Sequence, residues 1–216
     1  MIQPALPQPL PPRLVLVDTC SLVRLYYSDV KPVAGRTVGT FQLMTLEQMA
    51  KEVKGLAQGA QYAWLNVERI SEVDNSVITL SRAQKNSIEQ RRKNEQINWQ
   101  MALDHHCLAE NTVHMRRLSR SDATVLAAAI DLKATLVTDE WPLHWVATNF
   151  DYDDGTPIDV KLSVDVLALL EANLVIEASE RRQTYRAWKL AGELLHRSSD
   201  RQYGHLFNEP APNAQA

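Results

Sequence analysis

The chain has 216 residues, 45% of them apolar, enough to build the core of one domain with appendages. Its formal net charge of −3 excludes a wholesale polycation, so any nucleic-acid contact must come from local basic patches. Cys20 and Cys107 are the only cysteines and no CxxC occurs, which excludes a disulfide framework or a structural zinc finger and fits a reducing cytoplasm.

Residues 1–12 carry repeated prolines that deny both helix and ladder hydrogen bonds, and read as a flexible or polyproline lead-in. The opening MIQPALPQPLPPR lacks the basic and apolar regions of a signal peptide. No apolar segment approaches the roughly 20 residues that span a bilayer, so a soluble cytoplasmic protein is expected. Residues 13–18, RLVLVD, are a continuous apolar run ending on Asp18, the pattern of a strand buried on both faces of a parallel sheet. TCSLVRLYYS continues as a short helix, with Leu22, Leu25 and Tyr26 at helical spacing. After a loop punctuated by Gly35 and Gly39, FQLMTLEQMAKEVKGLAQ starts extended and turns helical. Leu46, Met49, Ala50 and Val53 share one face there, and Thr45 is the expected N-cap. From Leu80 to Glu110 the texture becomes long, polar and free of Gly and Pro. This segment reads as a helical insertion over about 80–110, lying across the domain with much of it wet and with Ile97, Met101 and Leu108 as a thin apolar stripe.

The block LSRSDATVLAAAIDLKATLVTDEW predicts a helix from about Asp122 to Leu132, capped by Ser119 or Ser121. ATLVT follows as a second buried strand that ends at Asp139 and Glu140. Pro142 opens another short helix, IDVKLS is a third strand, and residues 164–198 read as helical, with a C-terminal helix over 179–198. The polar tail 199–216, with two prolines, is expected to be disordered. Strands alternating with helices predict an α/β fold, three layers α/β/α around a central parallel sheet, with the main domain over 13–178.

In open parallel sheets, ligand sites form outside the carboxyl ends of the strands. Asp18 and the Asp139/Glu140 pair sit at two such ends, and Asp122 sits in the first turn of the helix feeding the second. An Asp in any one of these places also serves simply to satisfy orphan N–H groups. Together, carboxylates without matching bases repel one another unless a cation sits among them. Hard divalent ions such as Mg²⁺ and Mn²⁺ suit such a set, and the chemistry they support is phosphodiester hydrolysis.

LVLVDTCSLV, followed far downstream by LSRSDATVLAAAIDLKATLVTDEWPL, resembles the PIN-domain nucleases over about residues 13–170. Those are compact α/β folds with an opening strand ending in Asp, a later leucine–serine–x–x–Asp, and then a strand ending threonine–x–Asp. The resemblance implies a metal-dependent endonuclease, RNA being favoured over DNA as substrate, with Mg²⁺ or Mn²⁺ as cofactor. Asp18 matches the first metal-binding acid and Asp122 the third. Glu52, followed by apolar Val53, matches the second better than Glu47 does. The fourth acid falls by position on Glu140, while Asp139 occupies the place between, so both remain candidates. Thr138 and either Thr19 or Ser21 are expected to orient the two ends through their hydroxyls. Arg116, Arg117 and Arg120 crowd the approach to Asp122 and suit a polyanionic ligand, and the cations of the long polar helix could contact phosphates. Many family members are toxins held by an antitoxin. The resemblance therefore also implies a toxin or defence role, with an antitoxin or other protein on the C-terminal helix, or a second copy of the chain, as partner. The alternatives are a catalytically weak module that binds RNA or protein, and a structure-specific DNase. DHHC at 104–107 has no second cluster to complete a zinc site, and the five tryptophans are scattered as core or interface packing is.

Overall fold

The computed structural model describes residues 11–27, 34–110, 117–192 and 195–213. Five strands form one sheet in the order β2-β3-β1-β4-β5: β1 (Arg13–Val17), β2 (Thr37–Val38), β3 (Phe41–Met44), β4 (Thr135–Val137) and β5 (Val160–Lys161). β1 lies at the centre, parallel to β3 on one side and β4 on the other, and β5 runs parallel to β4. Only β2 is antiparallel, a two-residue edge on β3 within the stretch expected to be a loop.

The uninterrupted apolar run of β1 is explained by its two faces. Val15 and Val17 enter one core, with Leu22 and Val23 of α1 (Thr19–Tyr27), Leu167 of α7 (Ser163–Ala172) and Trp188 of α8 (Ala178–Leu190). Leu16 enters the other, with Trp99 and Leu103 of α4 (Arg82–Ala109), Leu126 of α5 (Arg120–Asp131) and Val146 of α6 (Trp141–Thr148). α2 (Glu47–Leu56) divides its apolar residues between the two, Val53 to the first and Met49 to the second. The result is an α/β protein with helices on both faces of a mostly parallel sheet, consistent with three layers. Among the described residues no helix is long and apolar enough to cross a membrane.

Several sequence expectations are corrected. The N-cap position of α2 is Leu46; the Thr45 hydroxyl instead donates to the Val17 carbonyl at 2.9 Å, tying β3 to the end of β1. α4 forms over almost the expected span, but the stripe Ile97, Met101 and Leu108 is 67%, 64% and 69% exposed. Its buried face is Ile88, Arg92, Trp99, Leu103 and Cys107, which packs chiefly on α5. The helical stretch after β5 is broken: α7 ends at Ala172, Leu174 turns to a positive φ of 57°, and α8 starts at Ala178. The tail is not disordered over its whole length. α9 (Ser199–Phe207) buries Tyr203 against Tyr185, and Arg181 reaches Glu209 beyond it at 2.6 Å. An amphipathic helix with an aromatic anchor has enough apolar surface to dock despite its polar flanks. The Pro-rich lead-in lies outside the described residues up to position 10.

Most cations of α4 are held by acids of the chain itself. Arg91 bonds Asp131 and Asp153, Arg92 bonds Glu89, and Lys85 pairs with Glu47 at 3.5 Å. On α8, Arg181 bonds Glu171 and Glu209, and Lys189 bonds Asp200.

Candidate functional site: an acidic edge beside a cleft

Because β1 and β4 are adjacent and parallel, with Val17 opposite Val137, their carboxyl ends lie side by side. Pairing continues one residue further, where the Asp18 amide donates to the Val137 carbonyl at 3.1 Å. The Asp18 side chain then serves both neighbouring segments. Its Oδ1 accepts from the Ser21 amide at 2.7 Å, capping α1, and its Oδ2 accepts from the Thr138 hydroxyl. Burial pushes its carboxyl up to about 7, against these hydrogen bonds, which lower it. Thr138 also accepts the Glu140 amide at 3.1 Å, so its hydroxyl contacts both strand ends.

Glu52, on α2, is the preferred second acid, and it contacts the neighbours of Asp18 and Asp122. One oxygen accepts from the Thr19 hydroxyl at 2.6 Å and the other from the Ser121 hydroxyl. Ser121 in turn accepts from Gln48 at 2.7 Å. Glu47 instead faces outward, with Lys51 at 2.7 Å. Asp122 takes the ordinary role of a helix opener as well: Ser119 is the cap, its amide donating to Asp122 Oδ2 at 2.8 Å and its hydroxyl accepting the Asp122 amide at 3.0 Å. Oδ1 of Asp122 takes no hydrogen bond among the described residues. Burial, then the negative charges of Glu140 and Glu52, push its carboxyl up to about 6, so these three acids sense one another.

Asp139 and Glu140 part company. Asp139 is committed elsewhere: its carboxylate binds Arg24, with both side chains 1% exposed, and takes hydrogen bonds from Ser163 at the start of α7 and from Ser21 Oγ at 3.2 Å. A buried carboxylate must be neutralised and hydrogen-bonded, and Asp139 is fully occupied in that way. Glu140 is half-buried at the N-cap position of α6 and accepts from the Cys20 thiol at 2.8 Å. Of the two candidates for the fourth acid, only Glu140 stands with Asp122.

Among the arginines, Arg117 is exposed and lines a cleft beside Glu140. Arg120 turns to Glu89 on α4, at 3.5 Å. Arg116 lies outside the described residues. Arg24 was not anticipated, although a lone cation inside the apolar helix TCSLVRLYY is a legible sign of a buried partner. Tyr62, in the small-residue loop GAQYAWLN, lines the same cleft and was likewise missed, and Trp64, expected from the sequence to be core or interface packing, lines it too. His106 of the DHHC run stacks on Trp145 at 4.5 Å and is used in packing.

Among the described residues, no three His, Cys, Asp or Glu side chains are gathered closely enough to hold a metal ion as they stand. The reason is visible in the partners: hydroxyls hold Glu52, a thiol holds Glu140, and the amide and hydroxyl of a capping box hold one side of Asp122. The acids are all carboxylates, and the charges acting most strongly on Asp122 are negative; carboxylates are the ligand type that hard divalent cations take.

Fold and site together define an α/β protein with acids on the carboxyl edge of a mostly parallel sheet. Set against protein-family models, curated proteins and solved structures, the chain matches none.

Proposed function

We propose that the chain is a metal-dependent endonuclease of the PIN type, hydrolysing phosphodiester bonds, with RNA favoured over DNA by the resemblance of its sequence blocks. One observation carries the reading. A single carboxylate, Glu52, is bonded by the residue that follows Asp18 and by the residue that precedes Asp122, so three segments distant in sequence bring acids to one edge of the sheet. Glu140 completes the set.

In this reading Asp18, Glu52, Asp122 and Glu140 would hold Mg²⁺ or Mn²⁺, which would supply Lewis-acid activation of phosphodiester hydrolysis. Asp18 supplies a fixed carboxylate, clamped between Thr138 and the first turn of α1. Glu52 and Glu140, half-buried and now held by hydroxyl and thiol partners, would supply the other carboxylates. The Arg24–Asp139 pair, joined by Ser163, ties α1 and the end of β4 to the start of α7.

A second reading is favoured by the present separation of the acids: a PIN-like module that binds nucleic acid or protein without cutting it. Cleavage of single-stranded RNA and DNA in Mn²⁺ decides between the two. The nuclease reading expects cutting by the native chain and its loss in Asp18→Asn and Asp122→Asn. Cleavage surviving both substitutions refutes the mechanism, and no cleavage by the native chain leaves the module.

A further inference from the structure

A cleft of about 1160 Å³ opens beside the acids, bordered by residues from α1, the turn Ala60–Tyr62, the start of α6 and the connection between α8 and α9. Sites for single small molecules span roughly 300–1,000 Å³, so this one has room for more than a lone nucleoside. Its lining combines three chemistries. Tyr27, Tyr62 and Trp64, all half-buried, form an aromatic group, the Trp64 ring meeting Tyr27 at 5.0 Å and 78° and Tyr62 at 6.3 Å and 61°. Such edge contacts fix the Trp64 ring and leave less rotamer freedom to be lost on binding. Arg117 and Arg197 add exposed cations without an ion-pair partner among the described residues, and the Arg197 guanidinium lies 6.0 Å from the Trp141 ring centroid. Cys20 and Glu140, joined by the thiol hydrogen bond, bring the acidic edge into the same cleft.

We infer that this cleft is a stacking subsite for unpaired nucleobases of a single-stranded nucleic acid, with Trp64 and its tyrosines taking base faces and Arg117 and Arg197 taking phosphates. An apolar small molecule would leave the two arginines unused, and an acidic peptide would leave the rings unused. A duplex hides its base faces in its own stack, whereas a single strand presents π-faces and phosphates in alternation. Arg117 and Arg197, without an ion-pair partner among the described residues, contrast with Arg91 and Arg92 of α4, which acids of the chain already hold. The inference deepens the nuclease reading by naming how substrate is held, yet the binding it describes does not require cutting.

The test is fluorescence anisotropy of the full chain in EDTA with labelled oligouridylate, oligothymidylate and a duplex of equal length. Single strands are expected to bind more tightly than the duplex, and the two single-stranded arms tell RNA from DNA as the source. Trp64→Ala is expected to weaken single-strand binding by about 5- to 100-fold, and Trp64→Phe, which keeps a ring face, to recover most of it. Arg117→Ala and Arg197→Ala are each expected to reduce the slope of log affinity against log salt by about 0.7. Should Trp64→Ala fail to fold, Tyr62→Ala carries the same expectation. Duplex binding as tight as single-strand binding, or ring variants that fold and bind like the native chain, overturns the inference. A native chain that binds in this way but cuts nothing defeats the nuclease reading and leaves the subsite standing; one that cuts without needing the rings defeats the subsite alone.

Discussion

Thr19, the residue after Asp18, donates its hydroxyl to Glu52 at 2.6 Å. Ser121, the residue before Asp122, bonds the other oxygen of the same carboxylate. One glutamate on α2 therefore links the first turns of α1 and α5, and the acids flanking those turns keep fixed relative positions. Since parallel strands need long crossovers, only tertiary structure can bring such distant residues together. Helix openings also offer free N–H groups and the positive end of the dipole, which suit a site meant to tolerate negative charge.

Stability should depend on pH through these acids. Folding holds protons on Asp18, pushed up to about 7, and on Asp122, pushed up to about 6, which the unfolded chain releases near pH 3.9. The folded state binds more protons between about pH 4 and pH 7, so their contribution falls as pH rises through that window. His144, pushed down to about 4 by burial, and His196, also pushed down by burial, act oppositely: their contribution rises with pH up to about 6.5. Comparing the native chain with Asp18→Asn removes the histidine part. Urea unfolding should show the native chain losing about 2–4 kcal/mol relative to the variant between pH 4 and pH 7. A constant difference across that range contradicts the assignment.

Asp139 and Glu140, adjacent in sequence, should separate by phenotype. Arg24→Met leaves a buried carboxylate without its cation and Asp139→Asn removes the acid paired with the buried Arg24 guanidinium; each should cost about 3–5 kcal/mol in thermal or urea unfolding. Glu140→Gln, at a half-exposed site, should change stability by about 0.5 kcal/mol or less while lowering Mn²⁺-dependent cleavage. An Asp139→Asn chain as stable as the native one, or undiminished cleavage by Glu140→Gln, reverses the two roles.

α9 should be part of the fold and not an appendage. Tyr203 is buried, stacks with Tyr185 and Phe207, and takes a hydrogen bond from Arg181 at 3.2 Å while donating to Glu209 at 2.8 Å. Tyr203→Ala should cost about 3–5 kcal/mol by urea unfolding. A loss below about 1 kcal/mol would mean that the helix does not dock.

The strands that are buried on both faces were legible, because RLVLV and ATLVT are apolar without alternation and each runs into an acid. Asp18 stood out as a candidate for the same reason, Asp122 as an acid in the first turn of a capped helix, and Glu52 only through the resemblance and the apolar Val53 after it. The face of α4 was not legible. In a helix this polar, Ile97 and Met101 read as its seam, whereas Trp99, Leu103 and Cys107, at successive steps of four, are the residues α5 covers. α9 was hidden because its one deep anchor, Tyr203, sits beside Gly204 in a polar run. The Arg24–Asp139 pair joins residues 115 apart: Arg24 in its apolar helix signals a buried partner, but nothing local says which acid it is. The aromatic cleft has the same origin: Tyr27 and Trp64 meet only because α1 packs beside the segment that follows α2.

The central claim is that Asp18, Glu52, Asp122 and Glu140 together take one divalent cation. Titration of the native chain with Mn²⁺, followed by calorimetry or by the loss of the free-ion electron spin resonance signal, should give one ion per chain, with affinity at least about 10-fold weaker in Asp18→Asn and in Asp122→Asn. No saturable binding, or an affinity that neither substitution changes, would contradict it.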